Sequence, residues 1–142
     1  MTEMNVHPLE DFQYCPQCGT SGFVIHDGKS KRCEGCGFVY YYNSAASTAA
    51  LILNERDELL VCRRAQEPAC GTFDLPGGFC DCSETAEEGV MREVHEETGL
   101  DVMRTIYLFS LPNRYLMLMV LDDMFRIRNL FRQNQLHQRR SR

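Results

Sequence analysis

Alternation of apolar and polar positions marks short strands through the first half of the chain. Phe23-Val24-Ile25 reads as one strand, and His26-Asp27-Gly28-Lys29 behind it carries hairpin-turn chemistry. Phe38, Tyr40 and Tyr42 recur at every second position, the period that puts side chains on one strand face. A small, polar stretch at residues 43–47 separates this part from the next. Residues 48–53 then read as a strand, 54–57 as a turn and 58–63 as the return strand of a hairpin.

The period changes after Leu75-Pro76-Gly77-Gly78, a run that cannot be helical. Ala86, Val90 and Val94 recur four residues apart and form the buried stripe of a helix. Thr85 is its N-cap, Glu88 completes a capping box, and Gly99 sits where a helix ends in left-handed backbone. The helix therefore spans residues 86–98. Two strands follow, at 105–111 and 116–121. Phe125, Ile127, Leu130 and Phe131 then predict the apolar face of a short basic helix.

Length suits one domain with a small appended module, and nothing approaches the apolar run of a membrane helix. The first residues have neither a basic region nor an apolar core, so no secretory signal is read and a cytoplasmic location is expected. Net charge is −5, unevenly spread. Residues 1–123 hold all twenty acids and nine bases, a balance of −11, whereas residues 124–142 hold six arginines and no acid. So acidic a body repels nucleic acid. Nucleic acid is accordingly not an expected partner, and a membrane is not one either.

Eight cysteines change the picture of the N-terminal part. Cys15, Cys18, Cys33 and Cys36 form C-x2-C-x14-C-x2-C, and each pair is followed by glycine, Gly19 or Gly37. In a reducing compartment such pairs are metal ligands rather than disulfides. The pattern resembles a zinc ribbon, in which four thiolates close a structural Zn²⁺ site, with iron as the other metal that fits. Cys62, Cys70, Cys80 and Cys82 read as inert core or loop thiols.

Between Gly78 and Leu100 the chain carries Asp81 and six glutamates against one arginine, Arg92. Glu93, Glu96 and Glu97 share a helical face, where they repel unless a hard cation such as Mg²⁺ joins them. Arg92 can pair with Glu88 or Glu96 one turn away, or reach back to Glu84. Arg63 and Arg64 are candidates for substrate phosphate, although a solvated edge pair reads as well.

These residues match G-x5-E-x7-R-E-U-x-E-E-x-G-U, with U apolar, at every defined position: Gly78, Glu84, Arg92, Glu93, Val94, Glu96, Glu97, Gly99 and Leu100. Seven fixed letters agree by chance at roughly 10⁻⁹ to 10⁻⁸ per start site. The stretch resembles the Nudix box. The resemblance implies a Nudix-type α/β/α sandwich with a mixed sheet, preceded here by the small zinc-ribbon module. It also implies hydrolysis of a phosphoanhydride in a nucleoside diphosphate linked to another moiety, releasing a nucleoside monophosphate. By that resemblance Glu96 and Glu97 are Mg²⁺ (or Mn²⁺) ligands, and Glu93 is a further ligand or the base that prepares water. The Gly78 carbonyl is a loop ligand, and Glu84 with Arg92 forms a structural pair.

A ribbon placed before a Nudix domain resembles the NADH pyrophosphatase branch. That branch carries a Ser-Gln-Pro-Trp-type motif; here Ser110-Leu-Pro-Asn-Arg-Tyr115 keeps serine and proline only, so an ADP-ribose-like substrate fits as well as NADH. The expected layout is a ribbon at 12–43, a Nudix domain at 46–125 with its box at 78–100, and a basic tail at 126–142. A homodimer is compatible with it. Nudix domains usually continue further, so the sheet reads as incomplete at its C-terminal end. The tail is read either as an arginine-rich arm for RNA or acidic partners, or as an altered ending. The competing function is a catalytically weak nucleotide- or RNA-binding module built on ribbon and tail.

Overall fold

The computed structural model describes residues 6–67, 69–115, 118–128 and 131–132. The chain divides into two compact units, Met1–Asn43 and Ser44–Arg142. In the first, β1 (Phe23–Asp27), β2 (Ser30–Cys33) and β3 (Val39–Tyr41) form an antiparallel sheet in that order. The Asp27 carboxylate accepts the Lys29 N–H at 2.9 Å and closes the predicted turn. Its core is small: Cys15, Phe23 and Cys33, with Phe38 packed against them. The preceding segment belongs to this unit. Leu9 is fully buried, and the Lys31 ammonium donates to the Phe12 carbonyl at 2.8 Å.

The second unit contains β4 (Ala45–Leu53), β5 (Cys62–Arg63), β6 (Phe73–Asp74), β7 (Gly77–Phe79), α1 (Ala86–Thr98), β8 (Asp101–Val102), β9 (Ile106–Tyr115), β10 (Leu118–Arg128) and β11 (Phe131–Arg132). Its main sheet has the order β7-β4-β10-β9, with β4 and β10 parallel and the other pairs antiparallel. This is the mixed sheet of the expected α/β class. Thr48, Ala50 and Ile52 alternate inward from β4, and Phe125 and Ile127 of β10 stand beside Ala50 and Ile52 in register. Val90 and Val94 of α1 fill the space above them. Each such side chain contributes about 1.5–3 kcal/mol by leaving water, which is what holds α1 on the sheet.

Among the described residues α1 is the only α-helix, and it covers one sheet face. The opposite face presents Phe109 and Leu111, 46% and 51% exposed. None of the described helices is long and apolar enough to cross a membrane.

Two expectations are corrected. No basic helix begins at Phe125: β10 continues to Arg128, and Phe131 lies in β11, paired with β8. Phe125 and Ile127 fit a strand period, alternating with Arg126 and Arg128, and β4 offers them a parallel partner that sequence spacing does not show. Leu130 and residues 133–142 lie outside the described residues. The hairpin return at 58–63 is also only partial. Leu59 bridges Leu53 and the Leu60 N–H bonds the Ile52 carbonyl, but Cys62 and Arg63 leave to pair with β6. The two strands after α1 exist, longer than the pattern suggested, because β9 and β10 extend along each other beyond the apolar runs.

Candidate active site

The glycine pair before α1 shapes the site by letting backbones touch. Gly77 has φ 153°, and a Cβ there would lie 2.0 Å from the Thr48 carbonyl oxygen. A Cβ on Gly78 would fall 2.6 Å from the Glu93 carboxyl carbon. A side chain at Gly77 would push β7 off β4, whereas one at Gly78 would displace the Glu93 carboxylate. The helix begins as the sequence predicts: the Thr85 side chain accepts the Glu88 N–H, and Glu88 accepts the Thr85 N–H at 2.8 Å. It ends at Gly99, φ 71°, whose N–H bonds the His95 carbonyl.

Arg92 organises the acidic stretch. Its guanidinium grips Glu84 with two bonds, 2.6 and 3.1 Å, donates to Glu93 at 2.7 Å and to the Phe79 carbonyl at 3.0 Å. Of the partners open to it in sequence, Glu84 wins, because a fork-shaped cation matches a carboxylate bidentately and the Asp81 N–H orients that carboxylate at 2.7 Å. Glu96 lies 3.5 Å away at the edge, and Glu88 is occupied by the cap. The Arg92 bonds pull the Glu84 pKa down to about 2, and the two carboxylates push the Arg92 pKa above its usual value.

Because the Glu84 carboxyl is more acidic folded than unfolded, the brace stabilises fully above its ordinary pKa, near 4.5, and that contribution is lost as pH falls toward 2. Acid titration of Glu84→Gln should therefore show a shallower loss of stability between about pH 4.5 and 2 than the parent. Parallel curves would mean the brace carries no such linkage.

Glu97 is placed differently. Its carboxylate accepts the Gly77 N–H at 3.1 Å. Burial raises its pKa, with Glu93 and Asp74 adding to the shift and the Gly77 N–H and Arg64 opposing it. The carboxylates of Glu93, Glu96 and Glu97 thus share the loop side of α1 without converging. Glu93 is held by Arg92, Glu97 by the glycine backbone, and Glu96 is largely in solvent. A cleft of about 360 Å³ opens beside Glu97 and Gly77, with Arg63, Arg64 and Cys62 on its wall. Arg64 pairs with Asp74 at 2.9 Å, and Arg63 donates to the Gly71 carbonyl. Sequence reasoning missed the Gly77 N–H and Asp74; nothing in their spacing marks them, since both reach the site through β6 and β7. The Cys62 and Cys80 thiols are pushed up by burial, whereas Cys70 and Cys82 are exposed.

In the first unit the sulfurs of Cys15, Cys18, Cys33 and Cys36 all lie within 4.8 Å of one another, the only such ligand group among the described residues. Cys15 and Cys36 are 3.8 Å apart, Cys18 and Cys33 3.6 Å. A tetrahedral ion with bonds of about 2.3 Å sets its ligands about 3.8 Å apart, so the cage fits Zn²⁺. Gly19 and Gly37 take φ 74° and 77°, and their N–H groups bond the Cys15 and Cys33 carbonyls, making two matching turns. The Thr20 hydroxyl, 3.5 Å from the Cys33 sulfur, draws that thiol down to about 6 and favours the thiolate a metal needs. Nothing in the sequence had singled out Thr20.

Comparison with known proteins agrees with this geometry. The model of the NUDIX domain matches residues 43–122. The chain is 32% identical over 108 residues to the NAD-capped RNA hydrolase NudC of Vibrio atlanticus, covering 75% of this chain and 39% of the relative. It is 43% identical over 65 residues to the ADP-ribose pyrophosphatase of Methanocaldococcus jannaschii, covering 44% of this chain and 38% of that protein. It spans about two fifths of the length of these curated relatives. A Nudix hydrolase from Nitrosomonas europaea superposes with a TM-score of 0.62 at 23% identity, over 82% of this chain and 66% of that one, which shows a common fold. With the domain match covering more than half its residues and the complete box running from β7 through α1 to Leu100, this chain belongs to the Nudix family.

Proposed function

We propose that the chain hydrolyses a phosphoanhydride in a nucleoside diphosphate linked to another group, releasing a nucleoside monophosphate, with Mg²⁺ or Mn²⁺ as cofactor. The observation that carries this most is the placement of Glu97: a partly buried carboxylate fixed to the glycine loop at the mouth of a cleft that also holds Arg63 and Arg64. Glu93, Glu96, Glu97 and the Gly78 carbonyl offer only oxygen donors, the kind hard cations take, and a bound cation would draw them together. A divalent cation there supplies charge for the phosphate oxygens and acidifies water.

The chain's own residues do the rest. Arg92 and Glu84 lock the loop to α1 and hold Glu93 beside Gly78. Glu93 is then poised as ligand or as the base that takes a proton from water. Arg63 and Arg64 balance phosphate charge along the cleft wall. In the other unit the four thiolates hold Zn²⁺ as a structural ion, which suits a reducing, cytoplasmic compartment. The relatives' names, an NAD-capped RNA hydrolase and an ADP-ribose pyrophosphatase, support an adenosine-containing substrate.

A panel of NADH, ADP-ribose and nucleotide sugars with Mg²⁺, scored by nucleoside monophosphate released, tests the assignment. AMP from at least one of the adenosine compounds is expected. No monophosphate from any of them, with the zinc site loaded, would reject it.

A further inference from the structure

The four-sulfur cage of the first unit does not face solvent evenly. Cys15 and Cys33, the first cysteine of each C-x-x-C turn, are 2% and 0% exposed and cluster with Phe23 and Phe38. Cys18 and Cys36, the second of each turn, are exposed. Each exposed sulfur has a buried one close by: Cys18 lies 3.6 Å from Cys33, and Cys36 lies 3.8 Å from Cys15. Both of these close pairs run between the turns, joining one sulfur from each.

Burial is not the only shield. The Cys36 N–H donates to the Cys33 sulfur at 3.4 Å, and the Thr20 hydroxyl stands 3.5 Å from it. Donors of this kind draw electron density from a thiolate and make it a poorer nucleophile. Cysteine oxidation follows thiolate character and access, and sulfurs that all serve one metal ion share the first property. Access then decides which is attacked. A small polar oxidant meets Cys18 and Cys36 before it meets Cys15 or Cys33.

We infer that Cys18 and Cys36 form a peroxide-modification site whose oxidation ejects the ion through disulfides across the turns, Cys18–Cys33 or Cys15–Cys36. The inference rests on the proposed Zn²⁺ cage. An exposed thiolate attacks hydrogen peroxide, becoming a sulfenic acid and releasing hydroxide. The buried thiolate beside it attacks that sulfur and displaces a second hydroxide. One peroxide thus takes two electrons from two thiolates, and both hydroxides collect protons from solvent. Two of the four ligands are consumed, and the remaining pair cannot close a structural site. A redox reading of each C-x-x-C by itself gives a different product, with the disulfide inside a turn.

The test uses the full chain carrying Cys70→Ser and Cys82→Ser, which removes the exposed thiols outside the cage. Its zinc content is measured first, and excess hydrogen peroxide is then added at neutral pH with a zinc-indicator dye. Complete loss of the bound ion is expected, reversed by dithiothreitol and added Zn²⁺. Trypsin cuts after Lys29 and Arg32 and so separates Cys15 and Cys18 from Cys33 and Cys36. Mass spectrometry without reductant should find peptide 1–29 joined to peptide 33–56. A brief exposure with dimedone, which captures sulfenic acids, should label Cys18 or Cys36. First label on Cys15 or Cys33, disulfides confined within each turn, or release through sulfinic acids with no disulfide overturns the inference. Zinc held through the peroxide treatment overturns this inference alone, whereas a chain that never binds zinc overturns the cage and the inference with it.

Discussion

Glu97→Gln should lower kcat by about 10³-fold while leaving the fold intact, since losing a metal-linked charge forfeits several kcal/mol of transition-state stabilisation. The substitution is nearly isosteric. Its amide oxygen can still accept the Gly77 N–H that the carboxylate accepts at 3.1 Å, so the glycine loop stays in place. Thermal unfolding should not fall, because burial already works against the charged form of this group. Calorimetry should show weaker Mg²⁺ binding alongside the kinetic loss. Activity within about tenfold of the parent would remove Glu97 from the metal set. An effect on stability with no effect on kcat would make it a structural contact to the loop.

Stripping Zn²⁺ should unfold the first unit. Its hydrophobic cluster consists of Cys15, Phe23, Cys33 and Phe38, and two of those four belong to the proposed Zn²⁺ cage. So little apolar surface cannot offset the ordering of the chain, whereas a structural zinc site contributes about 10–16 kcal/mol in small modules at neutral pH. With a tight chelator, amide-exchange protection of β1, β2 and β3 should collapse. The amides of α1 and β4 should keep theirs, because Val90, Val94, Ala50 and Ile52 belong to a separate core. Cys33→Ser should reproduce the collapse without chelator. Persistent protection of β2 in either experiment would mean the ribbon folds on its hydrogen bonds alone, against the role assigned to the cage.

The contrast between these sites shows where sequence was informative. The ribbon and α1 were legible because their determinants are local: doubled C-x-x-C-G turns, a capping box at Thr85, an apolar stripe at Ala86, Val90 and Val94, and a terminal Gly99. Each is set by backbone geometry within a few residues. The periodic pattern also suggested β4, β9 and β10, yet it assigned Phe125 and Ile127 to a helix. A short run with arginines between apolar residues satisfies both periods, and only the parallel pairing with Ala50 and Ile52 selects the strand.

Sequence alone determined the family-defining helix and its carboxylates, since seven fixed positions lie on one continuous stretch. Tertiary structure decided which of those carboxylates meets what. Arg92 took Glu84 over Glu88 and Glu96 because the Asp81 backbone presents that carboxylate to both arms of the guanidinium. Glu97 went to Gly77, twenty residues away, because β7 must lie against β4 with no side chain between them. The side-chain rows on the sheet face opposite α1 were also invisible in sequence, because a row exists only once the strands are in register.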